Sequence, residues 1–505
     1  MKRMSDGAWI ALFVLLKLVV QALGIHCYGY FRDELYYLIC ARHLAWGYVD
    51  QPPLSIALLT LTTRLIGSSL VAIRIVPAFF GAAAVGLTGW ITRDRGGGRY
   101  AQGVAMLAMI AAPVQLAISQ YYSMNGIEIL LWPLACLALS RALERGGKRE
   151  WLAFGLVLGL GLLNKISLLW LIFGAGLGLL LTRERRALRA PGPWIALALA
   201  ALMNLPHLMW QASHGWAMVE FMRNAAGGKM VAVGALAFVI NQITLMNPLA
   251  APLWITGLVV LLRGRRSSVD RVQGILFLAV AGILISAGKS RASYLSPAFP
   301  MLIAAGAAAF ERWMTDGWRR VVKPLVPLFI ALGGILLLPL VLPVLTEDAF
   351  VTYLARLGGK AGGEEHHRYG ALPQQYADMH GWPAMADTVG AVIARLDPEE
   401  RARTVIYAQN YGEASAINFF RPDLPPGISG HNNYWLWGPG PPGRSVVVIL
   451  GGRSVDHARS FARVDSVAMF HAPWVMPYED SLGVFVCREP RAPIADLWKL
   501  AKHYE

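Results

Sequence analysis

Residues 29–54 read GYFRDELYYLICARHLAWGYVDQPPL. This stretch gathers Arg32, Asp33, Glu34, Arg42, His43, Asp50 and Gln51 between two apolar runs, 8–25 and 71–92. Working outward from it, the 505 residues are 56% hydrophobic and only 15% charged, with a mean hydropathy of +0.46. A soluble domain carries roughly 25% charged residues, so lipid must solvate much of this chain. The stretch is therefore read as a polar loop in a polytopic α-helical membrane protein.

A spanning helix needs about 20 apolar residues. About eleven candidates follow: 8–25, 71–92, 101–118, 126–143, 151–163, 167–181, 194–211, 246–262, 272–287, 295–310 and 324–345. The fifth and sixth are separated only by Asn164–Ile166 and predict a tight helical hairpin. Basic clusters mark every second loop: Lys2 and Arg3; Arg93, Arg95 and Arg99; Arg145, Lys148 and Arg149; Arg183, Arg185, Arg186 and Arg189; Arg263, Arg265 and Arg266; Arg312, Arg319, Arg320 and Lys323. Positive loops stay inside, so the N-terminus is inside and loop 26–70 outside. The net charge of +15 is thus loop charge, and no nucleic acid is implied. The parity makes 53–67 an interfacial helix in that outer loop. Residues 231–262 are too long for one span and break at Asn247-Pro248. The start MKRM plus an apolar run lacks a small-residue cleavage site and reads as a retained first helix.

Residues 1–345 form the membrane domain. After 345 the apolar runs stop, and 346–505 reads as a C-terminal α/β soluble domain on the outer side. Its predicted strands are 404–408, 445–450 and 482–487, and its predicted helices lie near 383–395 and 454–463. Cys27 and Cys40 share the outer loop, where a disulfide is one outcome; Cys136 reads as packing.

Polar groups at membrane depth are costly unless used. Here they fall at outer helix ends: Asn125 and Glu128, Asn164 and Lys165, Asn204 and His207, Lys289 and Arg291 with Tyr294 nearby. The inner halves read as apolar, which suits a reaction at the outer leaflet. A transporter would need midplane polar groups and broken helices. Lys289 and Arg291 lie outside against the orientation rule and call for an anionic partner. Asp33, Tyr36, Tyr37 and Cys40 share one helix face. Acidic residues at a helix start also complement its dipole, and a lone Lys165 is also an ordinary snorkelling lysine, so spacing leaves both readings open. His43, His207 and His214 have no metal-ligand spacing.

The motifs GYFRDELYYL, DQPPL, SQYYSMNGIEILLW, GLGLLNKISLLW and GKSRASYLSPAFPML occur in that order. Together they resemble the GT-C glycosyltransferases, a group that includes protein O-mannosyltransferases, lipid A aminoarabinose transferases and lipopolysaccharide galacturonosyltransferases. The resemblance covers residues 1–345. The phrases NYGEASAINFF and SGHNNYWLWGP resemble a bacterial subgroup with an outer domain. The resemblance implies a GT-C fold and a sugar donor carried on a polyprenyl phosphate. It implies that Asp33 is the catalytic carboxylate, with Glu34 beside it, and that Lys165, Lys289, Arg291 and Tyr294 lie near the carrier phosphate. Gln51 stands where relatives often have Lys or His. Asn125 stands where many have Asp, with Glu128 one turn on. The C-terminal domain is placed to cover the site, with His431 and Asn432 either rim residues or part of an ordinary turn.

A polyprenyl phosphate is a good leaving group, so cations matter more than a general acid, and the acceptor hydroxyl needs one base. One carboxylate with a cationic cluster suffices for a single inverting displacement; no metal or cofactor is required. The expected partners are the lipid-linked donor, a lipid, glycan or protein acceptor, and membrane lipids. The expected location is the bacterial cytoplasmic membrane with the C-terminal domain periplasmic. The alternative is a lipid-linked sugar flippase.

Overall fold

The computed structural model describes residues 5–264, 267–363 and 365–505. Lys2, Arg3, Arg265 and Arg266 of the basic clusters lie outside the described residues. Helices occupy all eleven predicted segments. They are Asp6–Ala22, Leu70–Asp94, Arg99–Ile110 with Pro113–Ile118, Met124–Arg145, Lys148–Asn164, Leu168–Leu180, Pro191–Ser213, Ala251–Arg263, Ser268–Ser286, Phe299–Trp313 and Leu325–Leu337. Among the described residues, six helices are long and apolar enough to cross a membrane. A seventh is added if the bent pair Ala235–Leu245 and Pro248–Arg263 counts as one span.

That pair turns by 92° at the predicted break. Asn247 adopts a φ of 67°, and its side chain accepts from the Leu249 N–H at 3.1 Å. Its amide donates to the carbonyls of Ala111 at 3.3 Å and Ile330 at 2.9 Å. Ala111 itself ends a helix, because Pro113 restarts the chain as a separate short helix. One asparagine therefore ties two interruptions together, satisfying carbonyls that lipid could not.

The break at Asn247 was expected; the interruption between Ala111 and Pro113, inside the predicted span 101–118, was not. Lys17, midway along the predicted span 8–25, is a polar group that was not singled out from the sequence. Lys17 is buried, donating to Gln21 Oε1 at 3.0 Å and the Gln115 carbonyl at 3.2 Å. Gln21 in turn donates to Gln120 at 2.8 Å.

The alternating loops collect at two ends of the bundle. At one end Arg99 meets Asp6 (3.3 Å), Arg95 meets Asp270 (2.7 Å) and Arg141 meets Asp94 (2.9 Å). At the other end, loop 25–54 packs under the C-terminal residues. The Arg32–Arg42 helix lies against the Tyr411–Phe420 helix and the Leu54–Ile66 helix, and Leu35 is buried within the C-terminal core beside Trp382, Ile406 and Ile417. Cys27 and Cys40 remain free thiols, so the disulfide outcome is not met; Cys40 is buried among the loop's aromatic residues.

The C-terminal sheet has five strands: β1 (Thr404–Ala408), β2 (Gly427–Ile428), β3 (Val446–Leu450), β4 (Phe461–Phe470) and β5 (Leu482–Pro490), in the order β2-β1-β3-β5-β4. β1 pairs in parallel with β2 and β3; β5 is antiparallel to β3 and β4. Central β3, VVVIL, is buried throughout, as a strand covered on both faces must be. The helix Trp382–Ala394 lies close to its expected place. The helix expected at 454–463 is only Ser454–His457, after which the chain enters edge strand β4.

Candidate functional site

Asp33 and Glu34 are neighbours on the first turn of the Arg32–Arg42 helix, and the fold sends them to different environments. Glu34 is fully buried against fully buried Arg74 of the Leu70–Asp94 helix. Arg74 donates to its carboxylate through Nη2 at 2.8 Å and Nε at 3.0 Å. The main-chain N–H groups of Phe31 (2.9 Å) and Tyr122 (2.8 Å) also donate to it. The other guanidinium hydrogens reach the carbonyls of Ile25, Cys27 and Gly29 at 3.3, 3.4 and 2.7 Å. The expected catalytic place of Glu34 is therefore corrected. Its carboxylate is saturated by donors and clamps the loop 25–54.

Asp33 instead lines a cavity of about 290 Å³ at the C-terminal end of the bundle. Its side chain is 35% exposed. The Tyr411 hydroxyl donates to Oδ1 at 2.8 Å, and Arg32 Nε lies 3.6 Å from the same oxygen. Arg32 is held behind it by the Tyr478 hydroxyl at 2.7 Å and by Asp378 at 3.7 Å, with its guanidinium 5.5 Å from the Tyr411 ring centroid. Burial pushes the Asp378 carboxyl up to about 6, with Arg32 opposing the shift. Deeper still, Asn410 donates to both Glu413 and Glu479 at 2.9 Å. Burial raises both carboxyls, Glu479 to about 7.

Of the residues singled out from the sequence, Asp33, Tyr36, Gln51, Asn125, Arg291 and Tyr294 line this cavity. The Tyr36 hydroxyl meets Asp50 Oδ1 at 3.1 Å and the Asn433 amide. Gln51 is buried, with no hydrogen-bond partner for its Nε2 among the described residues. Arg291 pairs with Glu365 at 2.6 Å, which Gln374 also holds at 2.9 Å.

Lys165 stands one layer back from the wall. Its ammonium donates to Asn125 Oδ1 and Glu128 Oε2, both at 2.7 Å, and sits 4.6 Å from the Tyr294 ring centroid. Ser167 completes the Glu128 carboxylate. Glu128 is thus paired and buried, which corrects its expected place among the substrate contacts; Lys165 acts on the cavity through Asn125 and Tyr294. Lys289 is exposed and away from the cavity, donating to the Ala226 carbonyl at 2.8 Å. Its expected seat beside the phosphate is corrected too.

Asp50, noted in the loop but given no role, also lines the cavity, and Glu365 and Tyr411 are lining residues that the site reading missed. Tyr411 belongs to NYGEASAINFF, and Asn432, which also lines the cavity, to SGHNNYWLWGP. Those two phrases were the available signal. A second cavity, about 240 Å³, lies between the sheet and the Ile494–Leu500 helix and is lined by Val405, Ile449, Phe461 and Trp498. It holds none of these groups.

A helical bundle whose loop 25–54 carries a cavity-lining aspartate under a C-terminal mixed sheet is the fold this chain shares with solved GT-C structures. Residues 50–210 match the family model described as dolichyl-phosphate-mannose-protein mannosyltransferase. The chain is 28% identical over 273 residues to the lipid A galacturonosyltransferase RgtD of Rhizobium johnstonii. That match spans 53% of this chain and 56% of the relative, so only about half of the relative's length is covered. The structure is similar to that of ArnT from Cupriavidus metallidurans bound to undecaprenyl phosphate. Its TM-score is 0.60 at 15% identity, covering 95% of this chain and 98% of that one. The apo form of ArnT gives 0.59 at 16%, with the same coverage.

Proposed function

We propose that this protein is a membrane glycosyltransferase that moves a sugar from a polyprenyl-phosphate carrier to a hydroxyl acceptor at the outer membrane face. The observation that carries the reading is the cavity itself. It sets the partly exposed Asp33 and the cationic Arg291 in one space at the mouth of an apolar helix bundle. Similarity to a chain solved with undecaprenyl phosphate supports a lipid-linked donor. The likeness to RgtD, named for lipid A, makes a lipid acceptor the first choice, with glycan and protein acceptors as outcomes of the test.

In this reading the Asp33 carboxylate takes the proton of the acceptor hydroxyl. The acceptor oxygen bonds to the anomeric carbon as the bond from that carbon to the phosphate oxygen breaks. The electron pair leaves with the polyprenyl phosphate, whose charge Arg291 stabilises, and the anomeric centre inverts. Tyr411 fixes the carboxylate. Lys165 fixes Asn125 and Tyr294. Eleven spans, with the loop 26–70 and residues 346–505 on the periplasmic side of a bacterial cytoplasmic membrane, complete the proposal.

The test incubates purified protein in nanodiscs with radiolabelled polyprenyl-phosphate sugars and lipid, glycan or peptide acceptors. Labelled acceptor with an inverted anomeric bond is expected. Carrier crossing a liposome bilayer with no product formed would favour the flippase instead, a reading to which Lys17 and the broken helices lend their only support.

A further inference from the structure

We propose that His431, His503 and Glu505 form a binding site for a zinc-class divalent cation at the rim of the cavity. One ligand atom from each lies within 4.8 Å of the other two. Zinc bonds of about 2.0–2.2 Å in tetrahedral geometry separate ligand atoms by about 3.3–3.5 Å. Binding therefore needs the side chains to close by roughly an ångström, and the main chain is already in register. His431 and His503 pair as a parallel bridge. The His503 N–H donates to the Gly430 carbonyl at 3.0 Å, and the Asn432 N–H to the His503 carbonyl at 3.1 Å. Asn432 holds the turn at a φ of 51°, a conformation that non-glycine residues adopt only when the surroundings impose it.

Both imidazoles are also held by hydrogen bonds to main-chain oxygens. His503 Nδ1 lies 3.0 Å from the Ala501 carbonyl, which can only accept, so Nδ1 carries the hydrogen and Nε2 the lone pair. His431 Nε2 lies 3.0 Å from the main-chain oxygen of Glu505, which places its lone pair on Nδ1. Metal-binding histidines are oriented by hydrogen bonds of this kind. Two imidazoles and a carboxylate suit zinc and its first-row neighbours, not magnesium or calcium, which take oxygen ligands.

The site would do mechanical work. Lys502 pairs with Glu220 at 2.8 Å, and Asn224 donates to the Tyr504 carbonyl at 2.9 Å. The segment 501–505 is thus a strap from the C-terminal domain to the Ala217–Asn224 helix, and Asn432 and Glu505 both line the cavity. A cation there would fix the strap and hold that wall closed.

Chelator-stripped full-length protein in detergent is dialysed against zinc or magnesium. Bound metal is measured by mass spectrometry, and hydrogen exchange is followed over 498–505. About one zinc per chain is expected, with no magnesium retained and slower exchange in the strap. His503→Ala should weaken zinc binding at least tenfold, whereas His214→Ala should leave it unchanged. If His503→Ala does not fold, His503→Gln and Glu505→Gln carry the same expectation. Zinc retention no greater than magnesium retention, or unchanged affinity in the site variants, would overturn the proposal. Neither readout uses sugar transfer, so its failure is distinct from failure of the transferase reading.

Discussion

Replacing Glu34 by glutamine should unfold the outer loop and not merely slow a reaction. The carboxylate accepts from the Phe31 and Tyr122 main-chain N–H groups and from two nitrogens of Arg74, all within 2.8–3.0 Å. Neither side chain of the pair is exposed at all. Glutamine keeps one acceptor oxygen and turns an N–H₂ toward donors. It also leaves the Arg74 guanidinium buried without its counter-charge. Breaking a buried pair from one side costs about 3–5 kcal/mol, a large part of the stability of an ordinary domain. Thermal unfolding followed by size-exclusion in detergent should show Glu34→Gln and Arg74→Gln falling by similar amounts. The double variant Glu34→Leu with Arg74→Met should recover part of the loss, because removing both charges strands neither. A Glu34→Gln protein that unfolds at the wild-type temperature yet has lost transfer would refute this reasoning and return Glu34 to the chemistry.

Other expectations concern the cavity and its support. Tyr411→Phe removes a hydrogen bond to a charged group, worth about 1.5–3 kcal/mol; kcat should fall about tenfold or more while the donor KM stays within twofold, as steady-state transfer kinetics would show. Arg291→Gln should raise the donor KM about tenfold, whereas Lys289→Gln should leave it unchanged, since Lys289 caps carbonyls outside the cavity. Burial pushes the paired Glu479 and Glu413 carboxyls above the ordinary carboxylate range, so the native state holds an extra proton above the pH at which the unfolded chain has lost it. The pair's contribution to stability therefore falls as pH rises from the unfolded to the native titration range. Unfolding temperatures should be higher at pH 6 than at pH 8, and Glu479→Gln should flatten the difference.

Most of the helical scaffold was legible because apolar runs and basic loops are properties of local sequence, and the hairpin at Lys165 and the break at Asn247 carry their own polar signals. The break at Ala111 was less visible, since Pro113 sits inside an otherwise apolar run. Edge strand β4 was not expected, and the predicted helix near 454–463 ran into its first residues, because β4 pairs only with β5 and its half-exposed residues blur the two-residue alternation. At the site, Asp33, Gln51, Asn125, Arg291 and Tyr294 stood out as polar or aromatic residues at outer helix ends. Pairing decided the rest, and pairing is not local. Glu34 finds Arg74 on the Leu70–Asp94 helix, Glu128 finds Lys165 in the hairpin, and Asp33 meets Tyr411 from the C-terminal domain.

The central claim is that Asp33 is the base for the acceptor hydroxyl. Single-turnover transfer from a radiolabelled polyprenyl-phosphate sugar by purified Asp33→Asn protein tests it most directly, with unfolding temperature as the control. Asparagine keeps the shape and can still accept from Tyr411, but it cannot take a proton. The account predicts a wild-type unfolding temperature and a chemical step slowed on the order of 100-fold or more. Transfer within a few-fold of wild type by the stable variant would contradict it.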